Sequence, residues 1–279
     1  MMHTTSANRI RPALMMLWAV VCVALAGGCA SKAPRGALAP ADTAATVWNA
    51  YKAYSAATER DTGPFRLETS LRYNAGDDGH RVIALIWGNG KAPLRLDIMA
   101  GIGATVAKIR ETDDTFLAYS PNEQKAYHHY GDGKALFSFG VPVPFSVSDL
   151  TAMLDGRFGS VFGLRSAGEA TLVPGMGIAY TLEGKRPGGS LVISEAGLPV
   201  RWTDGTADGW NLDVTYAEDA DATATPMPRK LVFQHGKGYN AIILVKERVR
   251  LDTPFSPEQL GLELPEGTTL LPLRSLGRK

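Results

Sequence analysis

Arg81-Val-Ile-Ala-Leu-Ile-Trp87, the turn Gly88-Asn-Gly90, and Leu94-Arg-Leu-Asp-Ile-Met-Ala-Gly-Ile-Gly-Ala-Thr105 decide how this chain folds. The first run is β-branched and aromatic, bounded by turn residues, and too short for a helix. In the second, Leu94, Leu96 and Ile98 alternate with Arg95 and Asp97, the period-two signature of a strand with one buried face. Upstream, Phe65, Leu67, Leu71 and Tyr73 keep odd numbering before the turn cluster Asn74-Ala-Gly-Asp-Asp-Gly79. Downstream, Thr105–Glu111, Thr115–Ser120 and Lys125–Tyr130 are separated by Thr112-Asp-Asp114 and Pro121-Asn-Glu-Gln124. The pattern predicts an antiparallel meander of about six strands.

The meander is then interrupted. Leu136-Phe-Ser-Phe139 fits a short helical turn, and Val141-Pro-Val-Pro144 must be extended, since each proline bars its predecessor from helical geometry. Ser146 or Ser148 serves as cap for a short helix through Leu154, ended near Gly156. Strand signals resume at Gly177–Glu183, Ser190–Glu195, Pro199–Thr203, Trp210–Tyr216, Lys230–Gln234 and Tyr239–Leu251, for about a dozen strands in all. Thr253–Leu260 reads as a helical turn followed by an irregular closing segment. No repeat and no second domain is evident.

A hydrophobic share of 45% against 20% charged residues places the 279-residue chain among folded globular proteins. Lys+Arg 29 against Asp+Glu 28 leaves no excess of cations to neutralise a phosphate backbone, which argues against a nucleic-acid partner.

The N-terminus has its own logic. Arg9 and Arg11 precede an apolar run from Ala13 to Ala26 that stops at Gly27-Gly28, short of the about 20 residues a membrane span wants. It reads as a secretory signal. Leu25-Ala-Gly-Gly-Cys29 resembles the bacterial lipobox, in which the peptide is cut before a cysteine that is diacylated and then acylated on its new amine. Residues 1–28 are then the signal, 29–40 a small, Pro-containing tether from lipidated Cys29, and 41–279 one domain. Cys22 would leave with the signal, so no internal disulfide is expected. Loss of Arg9 and Arg11 takes the formal charge from +1 to −1. Several acyl chains give stable membrane anchoring where one is marginal. Ala30 rather than Asp after the cysteine implies passage to the outer membrane in the enterobacterial sorting scheme.

From Ala41 to Arg60, Val47, Trp48, Tyr51 and Tyr54 form one helical stripe, expected to close over the sheet as a lid. Several strands are apolar at both parities: Val82, Ala84 and Ile86 oppose Ile83, Leu85 and Trp87. The surplus serves either a core under the helices or the lining of an apolar cavity. Gly101-Ile102-Gly103 stands at a hairpin tip with no charge between Asp97 and Lys108. Such a tip either contacts a membrane or partner or folds back as core.

The lipobox, the aromatic helix, Arg81–Trp87, the Gly101–Gly103 tip, Thr115-Phe-Leu-Ala-Tyr-Ser120, Lys125-Ala-Tyr-His-His-Tyr130 and Val141-Pro-Val-Pro-Phe-Ser-Val-Ser-Asp-Leu150 together resemble the LolB family of outer-membrane lipoprotein receptors. The resemblance covers roughly residues 41–273. It implies an incomplete antiparallel β-barrel of about eleven strands, with a few short helices as a lid over an apolar cavity. It also implies a monomeric, non-enzymatic protein of the outer membrane, facing the periplasm. Such a protein takes acylated lipoproteins from a LolA-like periplasmic carrier and inserts them, with Ile102 at the place of the family's membrane-inserting leucine. Expected cavity residues are Leu67, Leu71, Ile83, Leu85, Leu94, Leu96, Ile98, Leu212, Val214, Phe233 and Ile243. The chain is longer than a typical member in its second half, which keeps open a lipoprotein that binds another lipid, or an accessory envelope lipoprotein.

Enzyme readings fare poorly. Gly101-Ile-Gly-Ala-Thr-Val106 lacks the third glycine of a dinucleotide fingerprint and leads into a strand. Gly188-Gly-Ser-Leu-Val192 lacks the closing glycine of a nucleophile elbow. His128 and His129 are neighbours in a strand and point to opposite faces, so a shared metal is not expected. No cofactor is expected.

Overall fold

The computed structural model describes residues 36–60, 62–75, 78–101, 103–131, 135–184, 186, 188–217 and 224–273. The signal, Cys29 and Ile102 lie outside them. The chain divides into Met1–Gly36 and Ala37–Lys279, and every element below belongs to the second unit.

Helix α1 (Ala41–Glu59) is followed by β1 (Phe65–Ala75), β2 (Asp78–Gly88), β3 (Leu94–Ala100), β4 (Thr105–Glu111), β5 (Thr115–Ser120) and β6 (Lys125–Tyr130). Three short helices come next, α2 (Ala135–Phe139), α3 (Val147–Leu154) and α4 (Phe158–Phe162). Then follow β7 (Ser166–Val173), β8 (Gly177–Leu182), β9 (Ser190–Ile193), β10 (Pro199–Thr203), β11 (Trp210–Tyr216), β12 (Pro228–His235) and β13 (Asn240–Arg250). Helix α5 (Pro257–Leu260) and β14 (Thr269–Pro272) complete the order.

All strands form one open sheet in the order β14-β6-β5-β4-β3-β2-β1-β13-β12-β11-β10-β9-β8-β7. It is two meanders, each built from local antiparallel hairpins, joined where β1 pairs with β13. A bulge at Glu68/Thr69 breaks that seam, leaving Lys246 as the extra residue between Val245 and Glu247. The mainly β, unclosed architecture agrees with the sequence reading. Among the described residues the strand count is higher, at fourteen, because β7 and the parallel edge strand β14 were not signalled.

The topology dictates what fills the concave face. β6 and β7 lie near opposite edges of the sheet, so the 131–165 segment has to cross from one meander to the other. Its apolar residues Leu136, Val143, Phe145, Met153, Leu154 and Phe162 are fully buried against Leu67, Ile109, Leu212 and Phe233. Phe145 sits at the middle, with ring centroids 5.3 Å from Trp202, 5.6 Å from Phe233 and 6.1 Å from Phe162.

Several polar contacts pin this crossing segment, one set of them at the start of α3. Ser146, not Ser148, caps α3: its Oγ accepts from Asp149 N at 2.9 Å, and the Asp149 carboxylate accepts from Ser146 N at 3.4 Å. The buried Glu111 carboxylate of β4 accepts the next two free amides, Val147 N at 3.0 Å and Ser148 N at 2.7 Å. Burial raises the Glu111 pKa, with the two amides pulling the other way.

Helix α1 covers the second meander. Tyr51 Oη donates to Gly163 O, Tyr54 Oη to Pro226 O and Tyr180 Oη to Ala44 O, and the Trp48 ring lies 4.8 Å from that of Tyr180. The β9–β10 turn approaches the helix so closely that a Cβ on Gly197, at φ +80°, would lie 2.6 Å from Ala50 C. The chain before α1 pairs with the β7 edge through a bridge between Leu38 and Thr171. Part of the expected 29–40 tether is thus held against the sheet.

Candidate functional site: an apolar cleft at the strand ends

The expected cavity residues separate into three groups. Leu67, Leu71, Leu94, Leu96, Leu212, Val214, Phe233 and Ile243 share the concave face and are buried in the packed core. Ile83 and Leu85 stand on the opposite, convex face, because Ile83 registers with Ser70 and Leu85 with Glu68, while Leu67 and Leu71 register with Ile86 and Val82. Of the expected set, Ile98 borders an open cleft on the concave side, and Ile83 borders a separate one on the convex face. The middle of the trough is therefore occupied by the chain itself, and free space is found towards one end.

That cleft has a volume of about 620 Å³, within the range of about 300–1,000 Å³ typical of small-molecule sites. Ile98 of β3 and Val106 and Ala107 of β4 form its floor, at the strand ends that carry the 101–104 turn. Phe139, Gly140 and Val141, leading out of α2, form the roof. Leu271 of β14 and Leu273 wall the outer side. Polar groups gather with Tyr73, Ser120, Glu123, Tyr127 and Ser138.

Local physics holds each wall in place. The Phe139 ring lies 6.2 Å from Phe116 and 5.9 Å from Tyr127, edge to face in both cases. Tyr127 Oη donates to Glu123 Oε2 at 2.6 Å, a bond that raises the phenol pKa and keeps it a neutral donor. Tyr73 stacks on His80 at 5.0 Å, and burial raises its pKa. The outer wall depends on the tail, which crosses the convex face before β14. Trp87 Nε1 donates to Gln259 O at 3.3 Å, Arg110 Nε to Leu260 O at 3.1 Å and Arg95 to Gly261 O. Asn89 bonds Phe255 through both its amide groups. β14 then adds to β6 in parallel, placing Leu271 beside Tyr127.

The cleft offers apolar surface with hydroxyl and carboxylate groups among its lining, suited to an aliphatic chain that enters from the strand ends. Sequence reasoning missed Phe139, Val141, Leu271 and Leu273, since no local pattern says that the crossing segment and the tail meet at one end of the sheet. Gly101 and Gly103, the described residues of the expected tip, are exposed. The aromatic stripe of α1 packs over the second meander and away from this cleft, so Trp48, Tyr51 and Tyr54 are not among its walls. His128 and His129 are separated by the pleat, registering with Leu117 and Phe116 respectively.

No family model matches the chain, and no curated protein matches it. Solved structures similar to it include a DUF1329 family protein from Desulfovibrio piger, at 14% identity and TM-score 0.49 over 77% of this chain and 97% of that one. A putative outer membrane lipoprotein-sorting protein domain from Vibrio parahaemolyticus is similar at 9% identity and TM-score 0.47, over 75% and 94% of the two chains. A LolA superfamily protein from Nitrosomonas europaea gives 9% identity and TM-score 0.44, over 73% and 94%. Two of the three are described in terms of lipoprotein sorting or the LolA superfamily and none as a LolB-type receptor, and likenesses at these values give this chain neither a family nor a function.

Proposed function

We propose that this chain is a non-enzymatic, acyl-chain-binding lipoprotein, anchored through Cys29 in the bacterial outer membrane and facing the periplasm. It accepts acylated lipoproteins from a LolA-like carrier and passes them into the membrane. The observation that carries the reading is the apolar cleft of about 620 Å³ at the strand ends beside the 101–104 turn. A cleft beside a protruding tip shelters an acyl chain up to the moment of release. Each methylene removed from water is favourable by about 0.8 kcal/mol, so unsheltered chains do not cross an aqueous gap at a useful rate. Transfer needs no nucleotide, since each hand-off follows a gradient of affinity. Ile102, between Gly101 and Gly103, supplies the apolar group that enters the bilayer.

The test uses residues 29–279 with Cys29→Ser and a fluorescent fatty acid. Ser138→Trp places a bulky ring in the cleft from the half-buried helix α2. Displacing two methylenes' worth of contact, about 1.6 kcal/mol, weakens binding by about tenfold, with no change in the urea midpoint. If the parent protein binds no fatty acid, the reading fails. If it binds fatty acid yet never relays an acylated lipoprotein from carrier to liposome, the receptor role falls and a lipid-binding one remains.

A further inference from the structure

On the convex face near the 101–104 turn, Arg72 of β1 lies directly opposite Arg81 of β2, both exposed. Like charges in that register repel, so a sheet gains nothing from the pair on its own account. Lys246, the extra residue of the β1–β13 bulge, adds a third exposed cation. Lys246 and Arg81 line one cleft of about 450 Å³, whose apolar floor includes Val82 and Ile83 and which reaches Gly101 at the turn. Among the described residues, none of the three cations has an ion-pair or hydrogen-bond partner. Glu68 lines the same cleft at the row of Lys246 and registers with Glu247, which Arg66 holds at 3.5 Å. Charge on the convex face is therefore graded, with Arg72 and Arg81 nearest the turn and Lys246 and the acids further from it.

We propose that Arg72, Arg81 and Lys246 form a docking surface for anionic phospholipid, binding headgroup phosphates while the tip between them and the bilayer enters it. The inference rests on the proposed function for the membrane as site of action, and it names the lipid class that site recognises. Guanidinium pairs suit phosphate oxygens because their forked donors engage two acceptors at once. The apolar floor beside the cations takes the glycerol end of the same lipid.

Residues 29–279 with Cys29→Ser are sedimented with vesicles of phosphatidylcholine and with an equimolar phosphatidylcholine–phosphatidylglycerol mixture. Binding is expected to the mixture only, to weaken with salt, and to fall by about fivefold for each of Arg72→Ala, Arg81→Ala and Lys246→Ala, the effect of one basic residue at an anionic surface. Lys91→Ala, an exposed cation in the turn between β2 and β3 at the other end of the sheet, leaves binding unchanged. Equal binding to both vesicles, or an equal loss with Lys91→Ala, overturns the proposal. Displacement of the vesicles by inorganic phosphate alone also overturns it and marks a small-anion site instead. Fatty-acid titration of the same proteins keeps the two failures apart. A parent that binds fatty acid normally but ignores anionic vesicles sinks the docking surface alone, whereas a parent that binds vesicles but no fatty acid sinks the cleft.

Discussion

Replacing Glu111 tests whether the segment that crosses the concave face is held in place by one carboxylate. Its two oxygens accept Val147 N at 3.0 Å and Ser148 N at 2.7 Å, and these are amides of the first turn of α3 that no helical carbonyl serves. Val147 is fully buried, so its amide finds no substitute in Glu111→Ala. Ser148 is exposed and borders a cleft of about 250 Å³, so water replaces its lost partner. The cost of Glu111→Ala is then one orphaned buried amide plus the loss of one charge-assisted bond, together about 2–4 kcal/mol. Glu111→Gln keeps one oxygen acceptor and costs about half as much. The assay is urea unfolding followed by fluorescence and circular dichroism, read as a shift in midpoint at constant slope. The same variants report on the ionisation. Burial raises the folded pKa of Glu111 above its unfolded value, so the folded state holds the extra proton between the two. Stability from this group therefore rises as pH falls from the raised value towards the ordinary carboxylate value, and Glu111→Gln abolishes that slope. Midpoints for both variants within about 0.5 kcal/mol of the parent would refute the view that this carboxylate secures the helix.

Three further outcomes follow from the packing. Phe145→Ala removes a fully buried ring from among Phe162, Trp202 and Phe233 and lowers stability by about 3–5 kcal/mol in the same unfolding assay. Gly197→Ala forces a Cβ against the backbone of Ala50 at a left-handed φ; a loss of more than about 1 kcal/mol, with faster hydrogen exchange in α1, is expected, and an unchanged melting temperature would count against the close approach. Asp155→Asn leaves the guanidiniums of Arg157, Arg248 and Arg250, now 3.6, 3.9 and 3.3 Å from a buried carboxylate, facing a neutral amide. The cost is about 3 kcal/mol, at the low end for a broken buried pair because Arg248 and Arg250 also reach solvent, and thermal unfolding measures it.

Local alternation was enough to place twelve of the fourteen strands, because hairpin partners are neighbours in sequence and their turns are marked by glycine, asparagine and aspartate. β7 escaped because Ser166-Ala-Gly-Glu-Ala-Thr-Leu-Val173 has weak strand propensity and pairs with β8 across an irregularity between Ala167 and Thr171. β14 escaped because a four-residue edge strand ending in Pro272 exists only through its neighbour β6. The face of Ile83 and Leu85 was illegible for a different reason: β2 is apolar at both parities, and only its register with β1 breaks the tie. Alternation placed Leu94, Leu96 and Ile98 on one face but could not say that only Ile98 of the three meets open space. The roof and outer wall depend on where long-range connections land, which no window of sequence records.

The seam between β1 and β13 carries a consequence for biogenesis. Phe65 registers with Arg250 and Asn74 with Asn240, so the middle of the sheet is completed by the last long strand to be made. Until that strand emerges, the edge of β1 stays open and the first meander presents an unfinished border to every other extended chain nearby. Such distant pairing slows folding and lengthens the interval of exposure. A polypeptide interrupted before residue 240 is therefore a candidate for holdase capture or intermolecular strand exchange, more so than a sheet whose centre is built from neighbouring hairpins.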